Sequence, residues 1–301
     1  MDAIVFGNVT LDVICYPVDE VPRHESIAFE RAIVSPGGCA SNTAMGLAKL
    51  GVVTALVART GGGDAGELVR RYWEREGIDT RFVSCDPETS TGISVGLVDR
   101  EFQPRFVHTS GANAGLSVKD LDLPAIAAGG ARYLHVAGFF VLPGLMDGSL
   151  AETLAEASSL GMRTSLDVVF NVRMDDPKMQ TVLWEALPQL DCFMCNAYEA
   201  YRLTGEQEYR DAVLVLRERG ARTVIVKLGS QGCWLENDDF AQRVPAPQVR
   251  VVDTTGAGDA FAAGFIAAIL RGEALVEACR AGNHAGARIV TRLGAVEAWF
   301  H

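Results

Sequence analysis

The first patterned stretch of the chain is apolar without interruption, Ile4-Val5-Phe6, and is closed by Gly7. A short run with no polar position predicts a strand covered on both faces. Residues 41–50 place Ala44, Leu47, Ala48 and Leu50 at helical spacing, with Gly51 where a left-handed residue ends a helix. Residues 52–58 predict a second buried strand. Residues 27–34 alternate instead: Ile27, Phe29 and Arg31 fall on one side, and Ala28, Glu30 and Ala32 on the other. That predicts a strand with one solvated face, and residues 92–99 and 105–108 read the same way. From Tyr133 onward the period switches back and forth. Strands are predicted at 133–136, 163–169, 192–195 and 223–228, and helices at 150–160, 182–190, 199–203 and 212–219. Such βα alternation implies a mostly parallel sheet with helices on both faces, a three-layer α/β/α body. The alternating segments would form a small second sheet, inserted at about 13–35 and 92–108. The linkers are too short for separate units, so 1–301 is expected to be a single domain.

Composition narrows the function. With 301 residues, 49% hydrophobic and 22% charged, the chain has the make-up of a folded body with a generous core. The net charge of −11 repels nucleic acid and anionic lipid, so neither is an expected partner. It also repels nucleotides at long range, so a phosphate site must be built from local backbone amides and a metal ion. The longest apolar run, 260–270, stops at Arg271 and is too short to span a bilayer, and no signal segment is expected. Seven scattered cysteines, an odd number, fit a reducing cytoplasm.

The richest chemistry lies at 251–261, Val-Val-Asp-Thr-Thr-Gly-Ala-Gly-Asp-Ala-Phe. An extended segment runs into the small-residue turn Gly256-Ala257-Gly258, followed by an apolar helix. Small residues let backbone amides converge at the helix N-terminus, which makes an anion site. Asp259 falls in the first helical turn, where a carboxylate can act as general base beside that anion site. The plainer alternative is a strand-to-helix turn with Asp259 as its cap.

Other signals carry less. Residues 61–66 satisfy G-x-G-x-x-G but follow the second main strand, and no phosphate-binding G-x-x-x-x-G-K is present. Cys192 and Cys195 form an isolated C-x-x-C on an apolar strand and are expected to be core residues. His135 is expected to be a core or cleft residue.

Six segments in order resemble the ribokinase-like (PfkB) family of carbohydrate and nucleoside kinases, over nearly the whole chain. They are Gly7-Asn-Val-Thr-Leu-Asp12, Gly37-Gly-Cys-Ala-Ser-Asn42-Thr-Ala, Gly63-Asp-Ala-Gly66, Asn196-Ala-Tyr-Glu199, Lys227-Leu-Gly-Ser-Gln-Gly232 and Asp253-Thr-Thr-Gly-Ala-Gly-Asp259. The resemblance implies an ATP-dependent phosphotransferase on a ribokinase-like fold, acting on a hydroxymethyl group of a sugar-like alcohol. A nucleoside acceptor is the main alternative, and a non-catalytic sugar sensor a lesser one. By resemblance, Asp12, Gly38 and Asn42 hold the acceptor, while Asp259 and the turn Gly256-Ala257-Gly258 carry the transfer. Asn196 and Glu199 would order the water shell of Mg²⁺, a role compatible with a capping box at the same positions. Lys227, Gly229 and Gly232 would face the nucleotide. Asp253 and Thr255 would offer oxygens to a monovalent cation such as K⁺, with the rest of that cage from 287–295. The small sheet would be a lid, and two lids would clasp into a homodimer. One departure stands out: where relatives carry Asp-Pro-Asn-x-Arg, this chain has Asp167-Val-Val-Phe-Asn171-Val-Arg173.

Overall fold

The computed structural model describes residues 1–300. In chain order its elements are β1 (Ala3–Gly7), β2 (Thr10–Tyr16), β3 (Arg31–Gly37), α1 (Cys39–Lys49), β4 (Thr54–Gly61), α2 (Asp64–Arg75), β5 (Val83–Asp86), β6 (Gly92–Val98) and β7 (Pro104–Thr109). Then follow α3 (Leu123–Ala128), β8 (Tyr133–Ala137), α4 (Leu150–Ser159), β9 (Arg163–Asp167), α5 (Pro177–Ala186), β10 (Cys192–Asn196), α6 (Ala197–Thr204) and α7 (Tyr209–Glu218). The chain closes with β11 (Val224–Lys227), β12 (Cys233–Glu236), β13 (Ala241–Val244), α8 (Ala257–Leu270) and α9 (Leu275–Ile289).

The large sheet has the order β13-β12-β11-β10-β9-β8-β1-β4-β5. It is parallel from β5 to β11 and ends in the antiparallel hairpin β11–β12–β13. β1 sits inside it, hydrogen-bonded to β4 and β8, which is why all five of its residues are buried. Its side chains alternate between two cores. Ile4 and Phe6 join the cluster under α4, α5 and α7, while Ala3 and Val5 join the one under α1, α8 and α9. The three-layer α/β/α body expected from the sequence is therefore present.

The smaller sheet has the order β3-β2-β6-β7 and differs from expectation in one respect. Residues 27–34 do not form one strand. Pairing with β2 begins at Arg31 opposite Tyr16 and runs to Gly37 opposite Thr10. β2 ends at Tyr16, and the next residue is Pro17, which has no N–H to donate. Ile27 and Phe29 consequently have no strand beside them, although their side chains stay exposed at 42% and 44%. The sheet also starts earlier than expected, so Asp12 sits on it, directly opposite Ser35 and Ser94.

Candidate active site

In a parallel sheet the carboxyl ends of all strands open on one edge, and ligand sites gather there. Here Asn8 follows β1, Gly138 follows β8, and Asp167, Asn196 and Lys227 end β9, β10 and β11. Facing them across a cavity of about 730 Å³ stands the smaller sheet. Every site residue expected from the sequence lines this cavity except Asp253, which is buried beneath the loop before α8.

The N-terminus of α8 forms the floor. Gly256 adopts φ 76°, and a Cβ there would lie 2.7 Å from the Ala295 carbonyl oxygen, so a side chain is excluded on both counts. Asp259, in the first turn, is enclosed by protein yet open to the cavity. Its Oδ2 accepts from Asn42 Nδ2 at 2.8 Å. Burial pushes the Asp259 carboxyl up to about 7, against the opposing pull of the Asn42 donor. The amide of Asn42 is thus spent on the carboxylate. Its Oδ1 is buried with no hydrogen-bond partner, as is Asn8 Oδ1. Both residues line the cavity, although these two oxygens themselves have almost no accessible surface.

The opposite wall carries Asp12, which is 6% exposed. Thr10 Oγ1 donates to its Oδ1 at 2.5 Å, and burial raises its carboxyl to about 6. The carboxylate lies flat on Gly37 of the neighbouring strand. A Cβ on Gly37 would fall 2.0–2.1 Å from its carboxylate atoms. Gly37→Ala should therefore push Asp12 out of place and, on the acceptor and ATP roles the family resemblance implies, raise the acceptor KM at least tenfold with the ATP KM little changed. Steady-state kinetics with each substrate varied checks this, and an unaltered acceptor KM would contradict the placement.

Between the two walls Lys227 Nζ contacts both oxygens of Asp167, at 2.7 and 2.6 Å. Burial opposes the charge on Lys227, but Asp167 and Glu199 beside it hold the ammonium protonated. The ion lies against the anion turn, 3.1 Å from where a Cβ of Gly258 would stand. Asp167, which opens the departing motif and whose position there could face the phosphate path, is thereby tied to a predicted site residue sixty positions away. No sequence signal announces that pairing.

Asn196 and Glu199 form the capping box at the start of α6. Asn196 Oδ1 accepts from Glu199 N at 2.8 Å, and Glu199 Oε2 accepts from Asn196 N at 2.7 Å. Glu199 Oε1 also accepts from Phe170 N at 3.1 Å, and burial lifts its carboxyl to about 7. Among the described residues no cluster of three or more His, Cys, Asp or Glu could hold a metal ion by itself. A hard divalent cation that keeps most of its waters and leans on substrate phosphates fits such a site, and a caged ion does not.

Asp253 grips two loops. Its Oδ1 accepts from Thr255 N at 2.9 Å and Thr255 Oγ1 at 2.6 Å, and its Oδ2 accepts from Gly294 N at 2.8 Å. The anion turn is thereby tied to the segment after α9. His135 is buried, with Nδ1 2.7 Å from Ser165 Oγ, and burial lowers it to about 3, so it stays neutral. Cys192 and Cys195 are buried core thiols.

The cavity thus brings together a Gly-Ala-Gly helix start, a carboxylate in its first turn and a second carboxylate on the facing sheet. A family model for the pfkB family carbohydrate kinases matches residues 2–299. The chain belongs to that family, whose members use ATP to phosphorylate a sugar-like substrate. It is 31% identical to an uncharacterized sugar kinase of Archaeoglobus fulgidus, over 84% of this chain and 97% of the relative. It is 28% identical to the aminoimidazole riboside kinase of Salmonella typhimurium, over 93% and 88%. The structure of Arabidopsis thaliana ribokinase complexed with ribose and ATP superposes with a TM-score of 0.81 at 25% identity, covering 99% of this chain and 95% of that one.

Proposed function

We propose that the enzyme transfers the γ-phosphoryl group of ATP in line to a hydroxymethyl group of an acceptor held by Asp12, Gly38 and Asn42. The Asn42–Asp259 hydrogen bond at the mouth of the α8 anion turn carries this reading. It fixes a carboxylate where an attacking hydroxyl must lose its proton. Asp259 takes that proton, and the hydroxyl oxygen then attacks phosphorus as the bond to the β-phosphate oxygen breaks. Amides of Gly256, Ala257 and Gly258 receive the equatorial oxygens. Lys227, Gly229 and Gly232 face the nucleotide. Asn196 and Glu199 would hold Mg²⁺ through its waters when it binds with ATP, and the ion would supply charge neutralisation at the phosphates. ADP release dependent on an added acceptor tests the reading.

The chain acts as one kinase domain whose smaller sheet is a lid that excludes water during transfer. A monovalent cation belongs beside Asp253 and Thr255, because the carboxylate there stitches together the two loops that frame the anion turn. Activity should then be several-fold higher in KCl than in NaCl or choline chloride at equal ionic strength; equal rates in all three would exclude the cation. The free state of all seven cysteines supports a reducing compartment, and we place the enzyme in the cytoplasm.

The lid also supports a homodimer. Val34, Val13, Val95 and Val107 fall opposite one another across all four strands, on the face away from Asp12. Val34 is 44% exposed and Val107 63%. An apolar row of this kind on a sheet with free edges favours pairing with a second lid. Sedimentation at micromolar concentration should show a dimer, and Val107→Lys should dissociate it. A single species near 32.3 kDa would refute the dimer. A dimer that survives Val107→Lys would refute this face.

A further inference from the structure

The inner face of the lid shows what kind of acceptor the cavity suits. Strand register places Asp12 opposite Ser94, and Ser94 opposite His108, in one row across β2, β6 and β7. The next row is Ile14, Gly96 and Phe106. Ile14 is 1% exposed, and Phe106 remains 41% exposed on the cavity wall. Gly96 is what lets that row close. A Cβ there would lie 2.7 Å from both the Ile14 Cδ1 and the Phe106 Cε1, so the Phe106 ring lies down over the backbone of β6. Two interstrand spacings, about 10 Å, separate the Asp12 strand from the strand bearing His108 and Phe106. The face therefore offers a carboxylate at one end, a small hydroxyl in the middle and two flat rings at the other end. A single pentose or hexose held at Asp12 leaves the rings uncovered.

Charge narrows the acceptor further. The acidic and basic side chains lining the cavity are the carboxyls Asp12, Asp167, Glu199 and Asp259, with Lys227 and His108. Lys227 is held by Asp167 at the floor, away from the lid. Arg105, on the other face of β7, donates to the Val18 and Asp19 carbonyls. Lys227 and His108 are the basic side chains of this lining, neither on a strand next to that of Asp12, and Asp12 itself would repel a carboxylate or phosphate on the acceptor.

We propose that the acceptor is an uncharged nucleoside-type glycoside. Its sugar hydroxyls bind Asp12, and its flat heterocycle lies along Ser94 against Phe106 and His108. Free monosaccharides are poor acceptors, and sugar acids and sugar phosphates are excluded. This rests on the kinase reading for the identity of the site. The binding arm of the test below does not depend on transfer.

Isothermal titration with a panel of neutral nucleosides, free ribose and fructose, gluconate and fructose 6-phosphate tests the proposal. ADP release is followed in parallel with the same panel. At least one nucleoside should bind tenfold or more tighter than ribose or fructose, with no binding of the two anions. Loss of a base–aromatic contact weakens binding by roughly 5- to 150-fold, so Phe106→Ala should bring the nucleoside-to-ribose affinity ratio toward one. Three results overturn the proposal: no nucleoside binding, a free or anionic sugar that binds as tightly as any nucleoside, or an affinity ratio unmoved by Phe106→Ala. Nucleoside binding without ADP release in any mixture supports the proposal and counts against the kinase reading instead.

Discussion

Asp259→Asn is expected to lower kcat by about 10²–10⁴ while leaving the affinities for both substrates largely intact, since the loss of a general base typically has that size. The side chain keeps its volume and an oxygen for Asn42 Nδ2, so the fold of the site should survive. The same residue sets a pH signature. Its carboxyl is pushed up to about 7 by burial, and a base works only when ionised, so kcat/KM should fall as pH drops below about 7. Stability moves the other way. A raised carboxyl pKa means the folded state favours the neutral form. The stability this contributes is complete below the ordinary value of 3.8 and is lost as pH rises toward 7. At pH 8 the Asn variant, which removes a buried charge, should therefore melt higher than the parent, by about 1.5 °C for each kcal/mol recovered in a chain of this length. A variant that keeps most of kcat, or that loses the acid limb only in part, would show that another group takes the proton.

Asp12→Ala should act on the acceptor side alone. Hydrogen bonds to a charged group contribute about 1.5–3 kcal/mol each, so losing two from the acceptor lowers its kcat/KM by about 10²–10⁴. The ATP KM should change little, because Asp12 stands on the lid strand β2, apart from the Lys227 to Gly232 loop. Kinetics with each substrate varied decides it. A defect confined to ATP would mean that the two ends of the cleft are exchanged.

Much of this was legible in the sequence because the informative signals are local. Apolar runs such as Ile4 to Phe6 announce buried parallel strands, and Gly256-Ala257-Gly258 ahead of an apolar run announces a tight turn into a buried helix. What escaped was non-local or disguised. α9 was not recognisable as a helix, because Gly282, Asn283 and Gly286 interrupt its apolar period. Glycines on both helices allow α8 and α9 to approach closely: a Cβ on Gly282 of α9 would lie 2.9 Å from the Phe261 ring, and one on Gly264 of α8 would lie 2.6 Å from the Ala281 carbonyl oxygen. β5 is a short edge strand of Val-Ser-Cys-Asp, too polar to stand out. The contacts that organise the cavity join residues far apart in the chain. Asn42 meets Asp259 across 217 positions, and Asn113 clasps both backbone groups of Val9 across 104. Gly37 reads as part of a glycine pair, and only its register opposite Thr10 shows that the Asp12 carboxylate occupies its missing side chain. The stretch 27–34 shows the converse error: its alternation is real, but the neighbouring strand runs out at Tyr16.

The central claim is that this cavity directs the γ-phosphoryl group of ATP onto an acceptor alcohol and away from water. Coupled ADP release with Mg²⁺ and ATP, measured with and without a panel of neutral sugars and nucleosides, tests it most directly, with the product examined by mass spectrometry. The account predicts negligible ADP release without an acceptor, rapid release with at least one, and a phosphomonoester formed in equal amount to ADP. ADP release at the same rate with every acceptor and with none, without a phosphorylated alcohol, would contradict it.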